Sequence, residues 1–98
     1  MIIEKNLNGT ELNIKVIGRL DTVTAPELED EIKKSIDGVE KLVLDFASLE
    51  YLSSAGLRIL LASQKAMNKQ GEMIIKNVNS TINDIFEVTG FIDILTIE

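Results

Sequence analysis

Ninety-eight residues, 45% of them hydrophobic and 27% charged, suit one small folded domain, residues 1–98, and not a disordered tail. Ten Lys and Arg against sixteen Asp and Glu leave a net charge of −6, the wrong sign for neutralising nucleic-acid phosphates. The absence of Cys and His removes disulfides, thiolate nucleophiles, the usual zinc ligands and the usual general base near neutral pH.

Met1-Ile2-Ile3-Glu4-Lys5 lacks the basic lead and apolar run of a signal peptide. No stretch approaches the roughly 20 apolar residues of a membrane span. A soluble, cytoplasmic protein is therefore expected, with no nucleic-acid or membrane partner, no metal and no cofactor. The pattern assigns no oligomeric state.

Ile2-Ile3 is a short strand, joined through the turn signal Asn8-Gly9 to Leu12-Asn13-Ile14-Lys15-Val16-Ile17. The second strand alternates as one covered face requires, and Gly18 is expected to end it. Thr24 then caps a helix in a capping box with Glu27, Pro26 is tolerated in the first turn, and Gly38 stops the helix. Ala25, Leu28, Ile32 and Ile36 form its apolar stripe; its acids come early and Lys33 and Lys34 late, as the helix dipole prefers. Leu42-Val43-Leu44 with Phe46 reads as a strand covered on both faces.

After a short loop, Leu57, Leu60, Leu61, Ala66 and Met67 are spaced for a second helix ended by Gly71. Met73-Ile74-Ile75 is the next buried strand. Ile82, Ile85, Phe86 and Thr89 mark a third helix, capped by Asn79 or Ser80 and closed by Gly90 with Phe91. Ile94 to Ile97 adds a final short strand. The order β-β-α-β-α-β-α-(β) implies right-handed crossovers onto an α/β sheet of four to five strands, mixed but mostly parallel, with three to four helices.

The segment Phe46 to Leu57 carries the chemistry, because a buried strand emerges there and presents Ser53 and Ser54 at a helix start. Open parallel sheets bind ligands outside the carboxyl ends of their strands. Helix capping alone accounts for one of the two serines. A nucleophile elbow needs Gly two residues before the serine; Leu52 stands there, and without His no acyl-transfer triad assembles. A phosphorylated Asp45 in a receiver-like domain needs acids clustered near the first core strand to hold Mg²⁺, and Gly18-Arg19-Leu20-Asp21 supplies only Asp21. No phosphate-binding GxxxxGK[ST] loop is present.

These residues carry a resemblance. Gly18-Arg19-Leu20-Asp21 with Thr24, Leu44-Asp45-Phe46 through Leu52-Ser53-Ser54-Ala55-Gly56-Leu57, and Ile85-Phe86-Glu87-Val88-Thr89-Gly90-Phe91 together resemble the STAS domain of bacterial anti-sigma factor antagonists, in order and with family spacing. The resemblance implies a STAS fold and a partner-switching role rather than an enzyme. The unmodified domain would bind an anti-sigma factor serine kinase and free a sigma factor. Phosphorylation would end that contact, and a PP2C-type phosphatase would restore it. By family position the acceptor is Ser54. Ser53 stands where the family often has Asp, which leaves a second hydroxyl within reach. Asp21, Thr24, Ser53, Gly56 and Arg58 are the implied partner-binding residues; for Asp21 the alternative is a solvated loop carboxylate, and for Arg58 a solvated helix face. Tyr51 and Leu52 are expected to pack around the loop. The other class of function is a constitutive STAS scaffold that is never phosphorylated.

Overall fold

The turn at Gly9 sets the first hairpin. In the computed structural model, which describes residues 1–98, β1 (Ile2–Asn8) and β2 (Glu11–Leu20) pair antiparallel from Asn8↔Glu11 to Ile2↔Ile17. That register makes Gly9 and Thr10 the two loop residues, with Gly9 at φ +64°, the conformation that a two-residue hairpin loop asks of its first position. The first strand is thus much longer than its apolar pair Ile2-Ile3.

β2 continues past the glycine expected to end it. Its first half pairs parallel with β3 (Lys41–Asp45), from Glu11↔Lys41 to Lys15↔Asp45, and its last residues pair parallel with β4 (Leu49–Leu52). The register shifts between Gly18 and Arg19, and Gly18 has φ +103°, so this glycine is a bulge that redirects the strand from one neighbour to the other. β4, which lies in the stretch expected to be a loop, is the strand gained by that redirection. β5 (Glu72–Lys76) completes the order β1-β2-β3-β5, with β4 on β2 beyond the bulge. The result is a mixed five-stranded sheet with α1 (Ala25–Ser35), α2 (Ser54–Asn68) and α3 (Ser80–Thr89), as expected for the α/β class.

The core forms on one face of the sheet. Leu12, Ile14 and Val16 of β2, Leu42 and Leu44 of β3, and Met73 and Ile75 of β5 join Leu28 and Ile32 of α1, Leu57, Leu60 and Met67 of α2, and Ile82 and Phe86 of α3 in one cluster. The central strands are not apolar on both sides in the same sense. Val43 and Ile74, adjacent across β3 and β5, are buried but lie outside that cluster, on the opposite face. There they sit between two charged rows: Lys41 is 3.8 Å from Glu11 and 4.0 Å from Glu72, and Asp45 lies between Lys15 and Lys76 in register. Alternating charges across neighbouring strands keep this face polar around its apolar centre.

The helix ends depart from expectation in three places, one being that α1 ends at Ser35 with Ile36 as its cap residue, ahead of the Gly38 expected to stop it. No side chain caps α1 from Thr24, which is itself in the helical region; the box sits three residues earlier, as described below. α2 ends at Asn68 with Lys69 as its cap residue, ahead of Gly71. At α3 the Asn79 side chain takes the Ile82 N–H at 2.9 Å, and Gly90 closes the helix at φ +80°. The C-terminal segment is a 3₁₀ turn over Phe91–Asp93 followed by a single parallel bridge, Ile75↔Ile97, in place of a full strand.

Candidate functional site

Two strand ends build the site. Leu20 and Leu52 are paired at the carboxyl ends of β2 and β4, and the Ser53 N–H donates to Leu20 O at 2.9 Å. Asp21 and Ser53 therefore leave the sheet side by side. Gly56 seats the start of α2 on this pair. A Cβ there would fall 2.6 Å from Leu52 Cδ1 and 2.8 Å from Leu20 Cγ, so any larger residue must displace these two buried leucines for the first turn to settle on them. Gly56 is buried beneath this first turn of α2.

The two serines divide two tasks. Ser53, extended at ψ 175°, is the N-cap of α2: its Oγ accepts the Gly56 N–H at 3.5 Å, a long bond, and its carbonyl accepts the Leu57 N–H at 3.0 Å. Ser54 is the first helical residue and is exposed, so its hydroxyl is left over from capping and faces water. Arg58, one turn on, is exposed as well.

Across from them Asp21 organises the β2–α1 loop. Its Oδ1 accepts the N–H groups of Val23 at 3.0 Å and Thr24 at 3.1 Å, while the Asp21 N–H donates to Thr24 Oγ1 at 2.9 Å. This reciprocal pair is a capping box with Asp21 as cap and Thr24 as its third residue. It replaces the box expected between Thr24 and Glu27. The Thr24 hydroxyl also donates to Arg19 O at 2.8 Å, which ties it into the loop. The Thr24 N–H is the main cause that holds the Asp21 carboxyl below its ordinary range, with the Val23 N–H and the Arg19 charge adding to it. Asp21 is thus a structured loop carboxylate, with Oδ1 engaged by the loop N–H groups and Oδ2 3.8 Å from Arg19 Nε.

Because the folded form lowers the Asp21 pKa, the stability Asp21 contributes is whole above its ordinary value of 3.8 and is lost as the pH falls below it. Asp21→Ala is expected to lower the thermal midpoint by a few degrees at pH 7, with the gap to the parent closing in acid; thermal melts at pH 7 and pH 3 check this.

The Arg19–Tyr51 contact gave no sequence signal, because β4 itself was not legible. The two residues are paired across β2 and β4, and the guanidinium lies 4.4 Å from the ring centroid. Tyr51 is part-exposed and supports Arg19 at the surface, while Leu52 is buried as expected. Asp45 has a structural place. Its Oδ1 accepts the Ala47 N–H and the Asn77 amide, each at 3.0 Å. Partial burial works to raise its pKa, and these hydrogen bonds with the charges of Lys76 and Lys15 outweigh it and hold the carboxyl low. No three acidic side chains converge anywhere in the chain in the manner of a cation site.

Comparison with known proteins agrees with this architecture. The STAS domain family model matches residues 3–98, and the chain belongs to that family. An anti-sigma-B factor antagonist of Staphylococcus aureus is 32% identical over 95 residues, which span 95% of this chain and 88% of that protein. The crystal structure of an anti-sigma factor antagonist from Mycobacterium paratuberculosis superposes with a TM-score of 0.89 at 26% identity, covering 98% of this chain and 83% of the other. The Bacillus cell fate determinant SpoIIAA in its phosphorylated form shares the fold, with a TM-score of 0.78 at 18% identity over 99% of this chain and 91% of that one.

Proposed function

We propose that this protein is a cytoplasmic anti-sigma factor antagonist that works by partner switching, with Ser54 as its phosphorylation site. The unmodified domain binds an anti-sigma factor serine kinase and so releases a sigma factor. The kinase transfers the γ-phosphoryl group of ATP to Ser54 Oγ; ADP leaves, the hydroxyl proton goes to solvent, and the contact ends. A PP2C-type phosphatase hydrolyses the phosphoester and restores binding. The domain is substrate and ligand in this cycle, and its partners carry the catalysis.

The observation that carries this reading is the exposed Ser54 hydroxyl at the first position of α2, with capping already assigned to Ser53. A phosphate at that position meets free backbone N–H groups and the positive end of the helix dipole, worth about 0.3–1 kcal/mol. Modification at Ser54 is therefore compatible with the folded domain, and the switch acts at its surface. The names of the relatives support the same role, as does the existence of SpoIIAA in a phosphorylated form.

The test is intact mass after incubation with the anti-sigma factor kinase and ATP. One phosphate is expected on the parent and on Ser53→Ala, and none on Ser54→Ala. Loss of label in Ser53→Ala with retention in Ser54→Ala would move the acceptor to Ser53. No label on the parent, with kinase binding intact, would make the domain a constitutive scaffold, and label released by hydroxylamine would place it on Asp45.

A further inference from the structure

We infer that Arg58 is the internal counter-ion of phosphorylated Ser54, closing over the phosphate from one helical turn away. This rests on the reading of Ser54 as the acceptor. Residues four apart on a helix lie on one face with Cβ atoms about 5–6 Å apart, and an anion placed before a cation is the favourable order along the dipole. Ser54 and Arg58 hold those positions within α2, and both are exposed.

Arg58 is free for the purpose. The ion pairs of the fold use Lys5, Arg19, Lys33, Lys34 and Lys41, and none uses Arg58. The other arginine, Arg19, is committed: it stacks on Tyr51, and its Nε lies 3.8 Å from Asp21 Oδ2. α2 itself, SAGLRILLASQKAMN, carries no Asp or Glu, so no carboxylate on the helix competes for the guanidinium. Asp21, where β2 ends beside the start of α2, holds its Oδ1 in its own loop, and Glu50 of β4 is exposed. In a chain of net charge −6, α2 is thus a cationic element with an uncompensated N-terminus and an unpaired planar fork, which suits a phosphomonoester dianion. The pairing draws the phosphate down onto α2 and reduces the charge it shows a partner.

The experiment installs phosphoserine at position 54 during translation, so that no kinase enters the readout, and follows its second ionisation by ³¹P NMR. The second pKa with Arg58 present is expected to lie about 0.3 unit below that of R58Q, with R58K between the two and R19Q unchanged. Equal values for the parent and R58Q, or a shift that follows R19Q, would overturn the inference. Arg58 is exposed, and matching far-UV spectra confirm that the variants are folded. Failure here leaves Ser54 standing as acceptor, whereas absence of kinase labelling at Ser54 strikes the proposed function and not the pairing.

Discussion

Gly71→Ala is expected to destabilise the domain by about 3 kcal/mol, at the upper end of what overpacking costs, and to lower the thermal midpoint by roughly 12–24 °C. An alanine Cβ at this position would lie 1.8 Å from the Glu40 carbonyl oxygen and 2.6 Å from its carbon. Both are backbone atoms, so no side-chain rotation relieves the clash. Glu40 is also held in place: its N–H donates to Thr10 O at 2.9 Å, and its oxygen accepts the Glu72 N–H at 2.9 Å. Those bonds lead into the Lys41↔Glu72 start of the β3–β5 ladder, so any shift of Glu40 unsettles the pairing of two core strands. Thermal or urea unfolding of the purified variant measures the loss. A midpoint within about 2 °C of the parent would mean that the two connections separate at little cost.

That glycine also shows where sequence reasoning reaches its limit. Gly71 reads as a helix stop, a role that asks for a left-handed backbone, yet it is not among the glycines with positive φ. It is glycine because another chain segment passes too close, and nothing local announces such a contact. The same holds for Gly56 on Leu20 and Leu52.

What the chain does announce are periodicities. The stripe of Leu28 and Ile32 and the apolar run of Met73, Ile74 and Ile75 each belong to one element and were legible for that reason. β4 was not legible. It is four residues long with both middle ones exposed, and it exists by pairing with the far end of a strand bent at Gly18. The capping box was legible in kind and misplaced by three residues, since both Asp21-x-x-Thr24 and Thr24-x-x-Glu27 fit the pattern. The bond from the Thr24 hydroxyl back to Arg19 O favours the earlier box and could be seen only in the fold. The serines were legible as a pair at a helix start, while their division into cap and free hydroxyl needed the backbone of Ser53.

Phosphorylation of Ser54 is expected to weaken binding to the anti-sigma factor kinase about a hundredfold while leaving the domain folded. A phosphate adds about −1.5 to −2 charge, and pairing with Arg58 leaves roughly one unit to face the partner. Two unit charges about 6 Å apart at an effective dielectric of about 20 interact by roughly 3 kcal/mol, and each 1.4 kcal/mol is tenfold in affinity. One partner carboxylate near the phosphate therefore suffices. Unfolding does not compete as an explanation, because the phosphate sits at the stabilising end of α2 and the domain's total stability is on the order of 5–15 kcal/mol. Since the charges meet at an exposed helix start, the penalty should shrink in high salt, where screening shortens to a few ångströms. It should grow in R58Q, where the phosphate keeps its full charge. Calorimetric titration of the kinase with phosphorylated and unmodified protein, at low and high salt, measures both effects. Equal affinity of the two folded forms would reject a surface switch at Ser54, and a penalty unchanged by salt would trace it to lost shape complementarity instead of charge.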